Sequence, residues 1–176
     1  MSTSETREVW LRGPVPGIPA LLQPVAHALL QAREEVTELV KDFPVALLWK
    51  RPAGLASVGF HLQHLSGVPD RLFTYARGQQ LSDEQRQVLL LEGGGGEDIR
   101  VEELVRRFNM QVDIALDQLR TTTTETLLEP RGVGRSHIPS NVLGLLFHAA
   151  EHTQRHVGQL LVTIRILLDD EQLSNN

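Results

Sequence analysis

Apolar residues recur at helical spacing in four long stretches of the chain, separated by segments rich in proline, glycine or polar residues. In the first stretch Leu22, Val25, Ala26, Leu29, Val36, Leu39, Val40 and Phe43 line one helical face. Pro19 and Pro24 suit its opening turn, and Pro44 is expected to end it. A short apolar connector at 45–49 leads to a loop at Arg51 and Pro52. The second stretch, about 57–77, carries Val58, Leu62, Leu65, Leu72 and Ala76, with Gly78 as terminator. Pro69 inside it predicts a kink or a break, because proline lacks the N–H and crowds the carbonyl four residues back. Residues 79–98 are polar, with a short helical possibility at 84–91 and a flexible joint in the four glycines 93–96.

The third helix is expected to start near an Asp98 N-cap and to bury Val101, Leu104, Val105, Phe108, Val112, Ala115 and Leu119. It should fray into the threonine run 121–124, followed by a long loop over 130–139. The last helix is expected from about Ser140 to about Leu168. Ahead of all four lies an irregular arm, residues 1–18, whose Trp10 and Leu11 are expected to pack onto the helices, since burial stabilises large apolar side chains. The organisation this predicts is an arm (1–18), one helical domain (19–170) and a short tail (171–176).

Composition narrows the fold class. Hydrophobic residues make up 41% of the chain but aromatics only 5%, so aliphatic side chains must fill the core. That favours helices packed on helices, and the reading is an all-α protein, a four-helix bundle with long connections. The net charge of −5 offers nothing to a phosphate backbone, which argues against nucleic-acid partners. No apolar run approaches the ~18 residues of a membrane span, and the opening residues lack the pattern of a secretory signal. A cytoplasmic location without a membrane partner is expected. There is no cysteine, so disulfides are excluded and any thiol chemistry needs an external thiol.

Five of the seven histidines fall in two short segments: His61 and His64 in GFHLQHLSG, and His148, His152 and His156 in FHAAEHTQRHVGQ. Helical residues four apart are neighbours, so two imidazoles at that spacing can share one cation at ~2.0–2.1 Å each. A third from a facing helix would complete a three-histidine site with open positions. Turning ~100° per residue puts His156 about 75° from the apolar centre of the last helix, His152 about 115° and His148 about 155°. His152 and His156 therefore border the buried stripe while His148 points outward. On the second helix the same geometry favours His61 over His64 as the inward residue. The metalloprotease pattern H-E-x-x-H is absent, because Thr153 follows His152.

These segments resemble the DinB/YfiT-like superfamily of bacterial four-helix-bundle metalloproteins. The shared pattern is a second-helix histidine followed by Leu or Ile, here His64 and Leu65, and a late H-x3-H-x-G-Q, here His152, His156, Gly158 and Gln159. The segment LWKRPAG before the second helix is also similar. The resemblance implies a metal held by His64, His152 and His156, overriding the angular preference for His61. It implies zinc or nickel, a homodimer, and chemistry like that of relatives that use a low-molecular-weight thiol for S-transfer or isomerisation. A divalent cation favours thiolate over thiol, and a chain without cysteine is consistent with a borrowed thiol.

The leading functional expectation is thus a metal-dependent enzyme acting on a small molecule as a thiol S-transferase. A metal-dependent hydrolase and a non-enzymatic metal-binding stress protein are the alternatives. A structural zinc would normally take four protein ligands, so His61 or His148 as a fourth would favour the last. Gln159 is a candidate partner for an imidazole or a packing residue, and Glu151 reads as a salt-bridged surface residue. Arg131 and Arg135 are loop charges that could attract an anionic cosubstrate.

Overall fold

The computed structural model describes residues 7–95 and 99–174. Four long helices, α1 (Gln23–Leu39), α2 (Val58–Ala76), α4 (Val101–Thr121) and α5 (Val142–Ser174), are joined by a short helix, α3 (Asp83–Leu91), and a two-stranded hairpin. The protein is predominantly helical. Helix α2 packs against α4 and α5, and α1 packs against the same two. Leu29, Leu62, Leu65, Leu104, Phe108, Leu146 and Leu160 meet in the shared core with almost no exposure. The apolar stripes predict this: every stripe residue of the third helix except Val105 is fully buried, and Val105 packs at the core's edge.

Helix α1 stops at Leu39, short of Pro44. Asp42 takes a left-handed backbone (φ 58°) and turns the chain before the proline is reached. Helix α2 starts at a Ser57 N-cap, whose side chain accepts from the Phe60 N–H at 3.1 Å, and Gly78 (φ 74°) follows its end. Of the kink or break expected at Pro69, the break does not occur, and the helix continues through it. An interior proline costs ~3 kcal/mol, but Leu62, Leu65 and Phe73 on the flanking turns are each almost fully buried. Burial is worth ~1.5–3 kcal/mol per such side chain, and that outweighs one proline.

Helix α3 occupies the predicted short segment and opens with a capping box between Ser82 and Gln85. Gln85 also donates to Asp70 and Thr74 (both 2.9 Å), tying α3 to α2. The expected Asp98 cap lies outside the described residues, and α4 begins at Val101. The segment expected as a loop is instead an antiparallel hairpin, β1 (Pro130–Val133) with β2 (Ile138–Asn141), in which Arg131 pairs with Ser140. Its turn uses Gly134 (φ 66°) and His137 (φ 46°), backbone geometry that apolar patterning cannot reveal. Helix α5 extends six residues beyond Leu168. Its buried stripe ends at Leu167, but backbone hydrogen bonding carries on through polar residues.

The arm corrects a further expectation. Trp10 and Leu11 are exposed (61% and 49%), and Val9 and Ile18 are the arm's buried residues. The Val9 N–H donates to Gln31 of α1 at 2.8 Å, and Trp10 turns outward to donate to Glu8 at 2.6 Å. Among the described residues, no helix is long and apolar enough to cross a membrane.

Candidate metal centre

The α2–α5 packing carries the histidines. Serine capping and the Leu62/Leu65 stripe set the rotation of α2, which places His61 and His64 toward α5. The stripe through Leu146, Ala149, Thr153, Val157 and Leu160 sets that of α5, leaving His152 and His156 at its border. His64 Nε2 and His152 Nε2 stand 3.1 Å apart. The ring of His156 centres 4.4 Å from that of His64 and 4.6 Å from that of His152. Each of the three offers a nitrogen within 4.8 Å of the others, so His64, His152 and His156 could hold a metal ion.

The donor set fits a divalent cation. Nitrogens bound at ~2.0–2.1 Å and spread tetrahedrally would lie about 3.3 Å apart, close to the spacing of His64 and His152. Two imidazole lone pairs cannot face each other at 3.1 Å without a proton or a cation between them. Burial, then the charge of His64, push His156 down to about 4 and lower His152, so the charged form is disfavoured on both rings. Neutral imidazole is the form that ligates a metal.

Two of the rings are held from behind. His64 donates through Nδ1 to Glu92 at 2.7 Å, which leaves its lone pair on Nε2. Glu92 follows α3, is only 6% exposed, and is also paired with the Arg71 guanidinium. Burial pushes the Glu92 pKa up, but the hydrogen bonds from His64 and Arg71 and the charge of Arg71 together hold it below the usual range. His64, Gly67 and Arg71 share one face of α2. A Cβ at Gly67 would fall 2.2 Å from Glu92 Oε1, so glycine makes room for the carboxylate. His156 meets His61, their Nδ1 atoms 3.1 Å apart. His152 Nδ1 is buried without a hydrogen-bond partner among the described residues.

The remaining candidates separate cleanly. His61 is buried, as helical phase predicts, yet lies outside the three-nitrogen group. His148 is exposed and bonds Glu151 at 2.6 Å, and Glu151 also pairs with Arg155, as a salt-bridged surface residue should. With His152 these two form a second group of potential ligands on the outer face of α5. Gln159 is exposed, and with His61, Arg155 and Val162 it lines a cavity of about 470 Å³. Arg131 donates to the Ala76 carbonyl and to Glu129, a structural role at the far end of α2. The twelve residues from His64 to Ala76 span about 18 Å of helix, so Arg131 is remote from the histidines. Arg135 borders a different cavity beside Tyr75 and Leu90.

Sequence reading missed Glu92, Arg71 and Gly67. The one available signal is that Arg71 falls seven residues after His64, on the same helical face, and needs a buried anion.

By fold and donor set this is a helical protein with an inter-helix histidine cluster able to take a metal ion. The sequence pattern of the DinB superfamily matches residues 28–160, and the chain belongs to that superfamily. A solved structure of a Streptococcus pneumoniae protein shares the fold: TM-score 0.59, 14% identity, covering 82% of this chain and 88% of that one. No curated protein matches the chain.

Proposed function

We propose that this chain is a DinB-type four-helix-bundle enzyme that holds one zinc or nickel ion on His64, His152 and His156 and transfers a low-molecular-weight thiol to an electrophilic small molecule. The observation that carries this reading is the convergence of exactly those three imidazoles with no fourth histidine or carboxylate in the group among the described residues. Structural zinc sites are usually closed by four protein ligands, whereas an open position serves substrate. When bound, a divalent ion favours thiolate over thiol at neutral pH. The chain supplies no cysteine, so the thiol would come from solution. Its own residues hold and orient the rings: Glu92 fixes the tautomer of His64, and burial disfavours the charged form of His152 and His156. Hydrolysis is less well supported, because the nearby carboxylates are engaged, Glu92 with Arg71 and Glu151 with His148 and Arg155. The proposal includes a cytoplasmic homodimer whose partners are small molecules and not nucleic acid or membrane, in keeping with the net charge of −5.

Elemental analysis of untagged protein, followed by thermal-shift screening against a panel of small thiols, tests this. One ion per chain and stabilisation by a thiol only in the metal-loaded protein is the expected result. Loss of that ion should follow His64→Ala or His152→Ala. Metal binding with indifference to every thiol would refute the transferase reading, and absence of a stoichiometric ion would refute the metal assignment.

A further inference from the structure

Among the described residues five polar ones are buried, namely Ser57, His61, Thr74, Thr153 and Thr163. Ser57 caps α2, and Thr74 and Thr153 return their hydroxyls to helix carbonyls four residues back. His61 differs. It is 3% exposed, and its side-chain hydrogen bond goes to His156. Burying an imidazole where a leucine would pack costs free energy unless the ring is used. It is not a fourth member of the ligand group, since its nitrogens fall outside the set that lies within 4.8 Å.

We propose that His61 is a positioning residue of the metal centre: its Nδ1 accepts the Nδ1–H of His156 and thereby fixes the tautomer that keeps the His156 lone pair on Nε2. The arrangement repeats what Glu92 does for His64, with a neutral imidazole in place of a carboxylate. In both cases a buried partner engages Nδ1 of the ring. Partners of this kind orient a ligand and raise its basicity, and losing one typically lowers metal affinity ~10–100-fold. Among the described residues His152 Nδ1 has no such partner, so two of the three rings are held at Nδ1 and the third is not. The functional part of this inference rests on the metal-binding reading above, but the hydrogen bond itself does not.

The test uses His61→Leu, which removes the acceptor, and His61→Gln, whose amide oxygen can still accept. Long-range 1H–15N spectra of metal-free protein report the tautomer of His156 directly. Wild type should carry the proton on Nδ1, H61L should move it to Nε2, and H61Q should keep it on Nδ1. Zinc affinity, read by chelator competition, should fall ~10–100-fold in H61L and return to within about threefold of wild type in H61Q. A His156 protonated on Nε2 in wild type, or H61L with unchanged zinc affinity and tautomer, would overturn the proposal. If H61L proves unfolded by circular dichroism, wild type and H61Q decide it by the same two readouts. A tautomer shift in a protein that binds no zinc would uphold the His61–His156 pairing while sinking the metal assignment.

Discussion

Replacing Glu92 by glutamine is the sharpest probe of how the site is held. Glu92 is 6% exposed and serves two partners, His64 and an Arg71 that is itself 11% exposed. Removing one member of a buried ion pair costs ~3–5 kcal/mol, because the other charge is left without compensation. Glutamine keeps an oxygen that can accept from Arg71, so a smaller loss of about 2 kcal/mol is expected by urea denaturation of metal-free protein. Loss of the charge behind His64 should separately weaken zinc binding ~10–100-fold, or about 1.4–2.7 kcal/mol. Adding Arg71→Met divides the two effects. The double variant should be less destabilised than the sum of the single changes by at least ~1 kcal/mol, since no charge is stranded. Its zinc affinity should stay low, since His64 still lacks its carboxylate. An E92Q protein that binds zinc as tightly as wild type would refute the claim that Glu92 prepares His64.

Three further outcomes are expected. His148→Ala should leave one zinc per chain at unchanged affinity, because His148 is exposed and engaged with Glu151; a tenfold loss would mean that the outer group His148, Glu151 and His152 takes the ion instead. Gly59→Ala should lower stability by about 2 kcal/mol in a thermal melt, since a Cβ there would lie 2.3 Å from the rigid Trp49 ring and overpacking outweighs the gain in helix propensity; an unchanged or raised melting temperature would show that Trp49 is free to move. Metal-free protein should lose stability as pH falls from 6.5 toward 4. His61 and His156 are each pushed down to about 4 from 6.5 by burial first and then by neighbouring histidine charge, so the unfolded chain takes up protons in that window that the folded one does not. Well above pH 6.5 both states are neutral at these rings and the effect vanishes. H61L should show a shallower decline, and identical pH profiles for the two proteins would count against the burial argument.

Local patterning determined a good deal of this protein. The apolar stripes located all four long helices and the buried residues of α4 almost completely, because a 3.6-residue repeat is written directly in the sequence. Helical phase on α5 ranked His152 and His156 inward of His148, as the burial pattern has it, and H-x3-H spacing made them neighbours. Phase on α2 found His61 to be the more buried histidine, but could not say that His64 is the one whose nitrogen meets His152. That depends on how α2 faces α5, a property of neither helix alone. The continuity of α2 through Pro69 has the same origin, because packing on both flanking turns overrides a local penalty. Glu92 was illegible for a related reason. It lies 28 residues from His64 in a polar segment, and its role exists only once α3 docks on α2 and Gly67 leaves room for its carboxylate. Sequence thus set which faces are buried and which side chains can ligate, through short-range periodicity. The tertiary structure decided which nitrogens converge and what holds them, because those contacts join residues that only folding brings together.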